Sequence, residues 1–122
     1  MQLPVKDFVI AGSGPLFVRG WISDPHDLDI VARGSAWQMS KALGAVQKAP
    51  YSTTQHVQLF DGNLEVLDGW FPEIWPVDEL INTADIIDGI RFMALNVVLE
   101  TKLMMGRERD LEHVEVLHAH GY

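Results

Sequence analysis

The sequence predicts a mixed α/β or α+β protein that folds as a single domain over residues 1–122. Short aliphatic runs bounded by glycine, proline or aspartate fill the first two thirds of the chain, whereas the last third carries apolar residues at helical spacing. The chain has 122 residues, 48% of them hydrophobic, which is enough for one buried core but too little for two. We therefore expect strands with helices between them, followed by a C-terminal pair of helices.

The first strand and the first helix are predicted near the N-terminus. Residues 7–11 (DFVIA) form a short apolar run that is typical of a buried strand. Residues 12–15 (GSGP) follow as a turn, and Pro15 suits the start of a helix because it has no N–H to leave unpaired. A short helix over residues 16–20 is therefore expected.

The second strand carries two acidic residues. Residues 27–31 (DLDIV) alternate acidic and aliphatic side chains at the period of a strand, which places Asp27 and Asp29 on one face. Ser35 is then predicted to cap a helix over residues 36–43, because serine oxygens accept hydrogen bonds from the first helical N–H groups.

The middle of the chain predicts strands and one more helix. Residues 45–48, 55–60 and 64–68 have the composition of strands, and residues 61–63 (DGN) between the last two indicate a hairpin turn. Residues 77–87 are predicted to be helical.

Two helices are predicted at the end of the chain. Apolar residues repeat at helical spacing from Leu95 until Gly106 interrupts, and they do so again from Leu111 to His118.

Composition limits the class of function. Nine basic and 17 acidic residues give a formal net charge of −8, which repels polyanions and argues against broad nucleic-acid binding. The chain has no cysteine, which excludes disulfides and thiolate zinc sites and favours a cytoplasmic location. No apolar run approaches the roughly 18 residues of a membrane span, so no membrane partner is expected.

The acidic residues of two predicted strands suggest a metal site. Asp27 and Asp29 share one strand face, so their side chains can converge on one divalent ion. Glu65, flanked by aliphatic residues on a neighbouring predicted strand, is the candidate third ligand. Carboxylate oxygens suit Mg²⁺, and such ions assist phosphoryl transfer by activating a hydroxyl and neutralising the leaving group.

The turn at residues 12–15 is a candidate phosphate site. Gly12 and Ser13 offer backbone N–H groups and a hydroxyl without bulk, next to a helix N-terminus. Either Arg19 or Lys102 is expected to supply the positive charge that balances a nucleoside triphosphate beside three acids.

These residues resemble the signature of the DNA polymerase β-like nucleotidyltransferase superfamily. Gly12-Ser13, 13 intervening residues and Asp27-Leu28-Asp29 are similar to its Gly-Ser plus Asp-x-Asp motifs. The stretch 102–112 (KLMMGRERDLE) resembles the ending of minimal and AbiEii-type toxin or antitoxin nucleotidyltransferases.

The resemblance implies a nucleotidyltransferase fold, with a mixed central sheet flanked by helices. It implies metal binding by Asp27, Asp29 and Glu65, phosphate binding by Gly12 and Ser13, and active-site roles for Lys102 and Asp110. The chain departs from the pattern at Arg109, where many relatives have lysine, and at Glu65, where aspartate is common.

Two functions follow as hypotheses. The first is a Mg²⁺-dependent transferase that moves a nucleoside monophosphate from a triphosphate to a hydroxyl of an RNA, a protein or a small molecule. The alternative is a catalytically inactive member of the fold that binds a protein partner in an antitoxin-like role, through residues 70–75 (WFPEIW) or an exposed edge strand.

Overall fold

A computed structural model describes residues 3–49 and 53–122 of the protein. Within these residues the chain is a mixed α/β protein with one seven-stranded sheet and five α-helices. The strands are β1 Phe8–Ala11, β2 Leu28–Ala32, β3 Val46–Lys48, β4 Gln55–Leu59, β5 Leu64–Leu67, β6 Asp85–Ile87 and β7 Ile90–Phe92. The helices are α1 Gly14–Val18, α2 Gly34–Lys41, α3 Val77–Asn82, α4 Leu95–Met105 and α5 Glu108–Ala119.

The sheet mixes parallel and antiparallel pairs, in the order β3-β4-β5-β2-β1-β7-β6. Strand β2 runs parallel to β5, and β1 runs parallel to β7. The other four neighbouring pairs are antiparallel. Because β1 is antiparallel to β2, the end of β1 and the starts of β2 and β5 meet at one edge of the sheet.

Each face of the sheet packs against its own helices, because successive strand residues point to opposite faces. One face buries Val9 and Val31 against α3, α4 and α5, which contribute Leu80, Val98 and Leu117 to the same core cluster. The other face is covered by α2. Its core cluster consists of Phe8, Ile30, Ala32, Ala36, Trp37, Val57 and Val66.

The C-terminal helical pair is confirmed with nearly the predicted limits. Helix α4 ends where Gly106 adopts a left-handed φ of 61°, and the Gly106 N–H donates to the carbonyl of Lys102. A glycine takes this conformation without the steric penalty of a side chain, which explains why the helix stops there.

The helix predicted over residues 77–87 is wrong beyond Asn82. The chain instead forms the β6–β7 hairpin, in which Ile87 pairs with Ile90. Asp88 and Gly89 have φ values of 51° and 79°, and two consecutive left-handed residues make the tight turn whose twist fits a hairpin. Strands of three residues are too short to show their period in the sequence.

Two smaller predictions are also corrected. Ser35 does not cap a helix, because α2 begins at Gly34, and the Ser35 hydroxyl donates instead to Oδ2 of Asp7 at 3.2 Å. Helix α1 spans Gly14–Val18, starting and ending two residues earlier than expected, with Pro15 in its first turn.

In the part of the chain that the structure describes, no helix combines the length and apolarity needed to cross a bilayer.

Candidate active site

Four residues from neighbouring strands form one row across the sheet. Ala11 lies opposite Asp29, Asp29 lies beside Glu65 on the parallel neighbour, and Glu65 lies opposite Gln58. Registered neighbours point to the same face, and adjacent strands are about 4.8 Å apart. Two of the predicted metal-binding carboxylates therefore lie side by side, on the face that α4 and α5 cover.

The environment of Asp29 opposes ionisation of its carboxyl group. Burial and the negative charges of Glu65 and Asp27 raise the pKa of Asp29 to about 7, although Lys102 and Arg107 partly offset this. Such like-charge crowding is relieved when a cation binds.

The prediction that Asp27 lies on the second strand is wrong, because β2 begins at Leu28. Asp27 is exposed in the preceding loop and lines the same cleft as Asp29. The preceding His26 has a φ of 61°, and its backbone N–H donates to Oδ1 of Asp24 at 2.8 Å. Regular strand alternation would turn His26 away from Asp27, but the positive φ breaks the alternation. His26 therefore also lines the cleft.

The Glu65 carboxylate is held by a histidine that sequence patterns did not single out. Oε1 of Glu65 lies 2.6 Å from Nδ1 of His56, and the His56 side chain is buried. His56 and Gln58 occupy alternate positions of β4, so both point to the face of Glu65. Counting outward from the predicted turn at residues 61–63 would have paired position 59 with Glu65 and missed His56, because the observed register pairs Leu59 with Leu64.

Gly12 allows the turn after β1 to approach Asp29. A Cβ at Gly12 would lie 2.5 Å from Oδ2 of Asp29, and the backbone has a left-handed φ of 63°. Only glycine satisfies both constraints without displacing the carboxylate.

Ser13 and Lys102 come together although 89 residues separate them in sequence. The Lys102 ammonium donates to Oγ of Ser13 at 3.2 Å, and Nδ1 of His113 lies 3.3 Å from the same oxygen. Burial lowers the pKa of Lys102, while Asp110 opposes this effect. Lys102 therefore faces the turn predicted to bind phosphates from a buried position, with Asp110 close enough to stabilise its charge.

Asp110 links Lys102 to the start of α5. Its Oδ1 lies 3.6 Å from Nζ of Lys102, and its Oδ2 accepts hydrogen bonds from the backbone and side chain of Arg107 at 3.1 and 2.7 Å. Burial alone would raise the pKa of Asp110, but the hydrogen bond from Arg107 and the charge of Lys102 bring it below its usual range. Asp110 is therefore ionised, and it orients Lys102.

Arg19, the other candidate cation, points elsewhere. Its guanidinium pairs with Asp85 at 2.9 Å, donates to the carbonyl of Pro15 at 2.7 Å and lies 5.7 Å from the ring centre of Trp21. Among the described residues, the cations that line the cleft are Lys102, Arg107 and Arg109. The predicted cofactor-binding role of Arg19 is therefore not supported by its position.

The cleft that joins these groups has a volume of about 270 Å³. Acids from β2 and β5 form one wall, and cations from α4 and the start of α5 form the other. Beyond Glu65 the cleft is lined by Gln58 and by the apolar side chains of Leu67, Trp70 and Phe71. Trp70 is also part of the core, and its buried indole Nε1 has no hydrogen-bond partner within residues 3–49 and 53–122.

The donor chemistry of the acidic wall suits a hard divalent cation such as Mg²⁺, because it consists of carboxylate oxygens. Over residues 3–49 and 53–122, no three acidic or histidine side chains are grouped as a ready metal site. Asp27, Asp29 and Glu65 would have to rotate toward one another to hold one ion.

No model of a protein family matches this chain, and the searches among curated proteins and solved structures found no match. The resemblance to nucleotidyltransferases therefore rests on the residues themselves.

Proposed function

We propose that the protein is a Mg²⁺-dependent nucleotidyltransferase that moves a nucleoside monophosphate from a nucleoside triphosphate to a hydroxyl group. The observation that carries this proposal is the crowded acid pair, Asp29 beside Glu65, in a cleft whose opposite wall holds the buried cation Lys102. Phosphoryl transfer depends mainly on positioning and on charge stabilisation, and a cleft with both charges supplies these.

Asp27, Asp29 and Glu65 are the residues that would hold Mg²⁺. When bound, the ion supplies neutralisation of phosphate charge and makes the attacking hydroxyl more acidic. His56 fixes one Glu65 oxygen through the 2.6 Å contact, which leaves the other oxygen for the ligand or a proton.

We assign the triphosphate to the end of the row at which β1 finishes, next to Gly12 and Ser13. The turn at Gly12 and Ser13 approaches Asp29 closely, and Lys102 faces that turn with a positive charge oriented by Asp110. An ammonium group at this position attracts phosphate oxygens as a point charge.

The order of the row suggests where the acceptor enters. Attacking and leaving oxygens lie roughly in line across the reacting phosphorus. If pyrophosphate leaves on the Gly12 side, the acceptor approaches from beyond Glu65, near Gln58 and Trp70. Its hydroxyl oxygen forms a bond to the α-phosphorus, the bond to the bridging oxygen breaks, pyrophosphate leaves, and the hydroxyl proton passes to Asp29 or Glu65.

Calorimetric titration with ATP, CTP, GTP and UTP in the presence of Mg²⁺ tests this proposal. At least one triphosphate should bind the wild type, and Asp27→Ala combined with Asp29→Ala should abolish binding. Asp88→Asn is the matched control, because Asp88 is an exposed acid in the distant β6–β7 turn. Binding to none of the four would contradict the proposal.

A second assay, which does not depend on titration, identifies the class of acceptor. Purified protein is incubated with labelled triphosphates and cell lysate, and RNA, protein and small-molecule fractions are separated. Label in one fraction with the wild type, and in none with the double alanine variant, identifies the acceptor class. Absence of label in every fraction, despite triphosphate binding, would contradict transferase activity.

The alternative is an inactive binding module, and exposed apolar residues favour it. Ile86 on edge strand β6 is 63% exposed, and Ile74 in the segment 70–75 is 51% exposed. An edge strand with an apolar side chain can pair with another chain. Failure of every triphosphate to bind would favour this function.

A further inference from the structure

The hydroxyl of Ser13 lies at the centre of a buried three-residue cluster. Lys102 reaches it from α4 at 3.2 Å, and His113 reaches it from α5 at 3.3 Å. Ser13, Lys102 and His113 are 9%, 4% and 5% exposed, so solvent does not replace these contacts. The Ser13 side chain makes no capping hydrogen bond to α1, which leaves its hydroxyl free to serve the cluster.

Hydrogen-bond chemistry fixes the direction of the proton on Ser13. An ammonium group only donates, so Oγ of Ser13 must accept from Lys102. The single hydroxyl proton is then available for Nδ1 of His113, which accepts it when the imidazole is neutral and protonated at Nε2. Burial and the charge of Lys102 lower the pKa of His113 to about 4, so the ring is neutral at pH 7.

We propose that His113 is a positioning residue, which orients the Ser13 hydroxyl so that its lone pair holds the Lys102 ammonium toward the triphosphate site. In this arrangement Ser13 acts on the ligand through Lys102, because its proton points to His113 and away from phosphate. The inference rests on the proposed function only in naming the ligand as a triphosphate.

Helix α5 supplies both anchors of this arrangement. Asp110 and His113 are three residues apart, so they share one face of the helix. Asp110 contacts the Lys102 ammonium itself, at 3.6 Å, whereas His113 contacts Ser13 and acts on Lys102 through it. A buried lysine with two fixed partners keeps its charge and its position better than one with a single partner.

Leucine and asparagine at position 113 separate positioning from packing. Asn Oδ1 lies close to the position of His Nδ1 and also accepts a hydrogen bond, whereas leucine fills space without an acceptor. With Mg²⁺ present and inorganic tripolyphosphate as the probe, His113→Leu should weaken binding about tenfold, because the charge-assisted contact between Lys102 and phosphate loses its orientation. His113→Asn should recover most of that loss.

The Ser13→Ala variant completes the test. If His113 acts through Ser13, then Ser13→Ala should weaken tripolyphosphate binding in the wild type but add almost nothing in the His113→Leu background. Equal binding by a folded leucine variant and the wild type would overturn the inference. So would asparagine behaving like leucine, or fully additive losses.

Nitrogen NMR of the wild-type protein tests the inference without any ligand and without any variant. The His113 ring should be neutral and protonated at Nε2 at pH 7, with Nδ1 accepting a hydrogen bond. A proton on Nδ1 would overturn the inference even if triphosphates bind. The expected tautomer, together with no binding of any triphosphate, would instead contradict the proposed function alone.

Discussion

The carboxyl group of Asp29 is held where ionisation is unfavourable. Burial and two neighbouring acids raise its pKa to about 7, far from the ordinary value of 3.8. Each pKa unit corresponds to about 1.4 kcal/mol of difference between the two protonation states. An acid maintained at such a cost to stability is a recognised mark of a functional site.

Replacing Asp29 by asparagine should therefore stabilise the protein at pH 8. The folded pKa lies above the unfolded one, so the wild type loses stability as pH rises from about 4 to about 7, and the neutral amide avoids this loss. We expect Asp29→Asn to exceed the wild type by roughly 2 to 4 kcal/mol at pH 8 and to match it near pH 4.

Urea unfolding at both pH values measures this difference. Asp88→Asn serves as the control, since it removes an exposed acid and should change stability little at either pH. If the Asp29→Asn protein is no more stable than the wild type at pH 8, then ionisation of the Asp29 carboxyl does not destabilise the folded protein, and the prediction is wrong.

Lys102 is the second residue whose replacement has a predicted effect, here on triphosphate binding. Replacing it by methionine keeps most of the side-chain volume but removes the charge, and Asp110 retains its hydrogen bonds to Arg107. We expect Lys102→Met to fold and to bind Mg²⁺-triphosphate at least about tenfold more weakly, as expected for a lost charge-assisted contact.

Calorimetry on Lys102→Met and Lys41→Met compares this loss with a matched control. Lys41 is exposed at the end of α2, on the other side of the sheet. Equal weakening by both variants would mean that net charge matters, and that the position of Lys102 does not.

The sequence supports only part of the candidate site, and the reason differs from residue to residue. Asp29 and Glu65 were identifiable because they are acids among aliphatic strand residues, and Asp27 because it lies two residues before Asp29. His56 and His113 were not, because their roles depend on strand register and on the packing of α5 against Ser13. Arg19 fits the phosphate role by chain proximity, but its pairing with Asp85 is a tertiary contact that no local pattern encodes.

At the level of elements, the turn between β1 and α1 brings the predicted phosphate site to the acids. Gly12 combines a φ of 63° with an approach of 2.5 Å between its hypothetical Cβ and Oδ2 of Asp29. Gly20 has a φ of 76°, but no heavy atom of the described residues lies within 4 Å of its hypothetical Cβ. The two glycines therefore share a left-handed backbone conformation and differ in their surroundings.

Alanine at these two positions should separate the effects. Both Gly12→Ala and Gly20→Ala should lose about 1 to 2 kcal/mol of unfolding free energy, because a Cβ disfavours the left-handed conformation. Only Gly12→Ala should also displace Asp29 and lose Mg²⁺-triphosphate binding. Chemical unfolding and calorimetry provide the two readouts, and retained binding by Gly12→Ala would refute the steric role of this turn.

Helices and strands were predicted best where their pattern of apolar residues extends over many positions. Helix α4 ended at Gly106 as expected, because its period extends over eleven residues before a glycine stop. The β6–β7 hairpin was missed although Asp88-Gly89 is a turn signal, because the flanking strands have three residues each and resemble a helix continuation.

The whole molecule places the candidate metal ligands and the candidate phosphate-binding cation on different layers. Asp29 and Glu65 come from the sheet, through β2 and β5, whereas Lys102 and its partner Asp110 come from the helical pair that packs on it. Strand periodicity and helix periodicity each predict one layer, but the docking of α4 and α5 beside the edge where β1 ends depends on core packing that involves Val31, Val98 and Leu117. This docking creates the cleft.

A carbon-detected NMR titration of the Asp29 carboxyl, with and without millimolar Mg²⁺, tests the central claim that the acid cluster is a cation site. We expect a pKa of about 7 without the ion, and a fall of at least about one unit when it binds, because a nearby positive charge favours the carboxylate. An Asp29 that titrates near 3.8 without the ion, or whose pKa stays the same when Mg²⁺ is added, would contradict it.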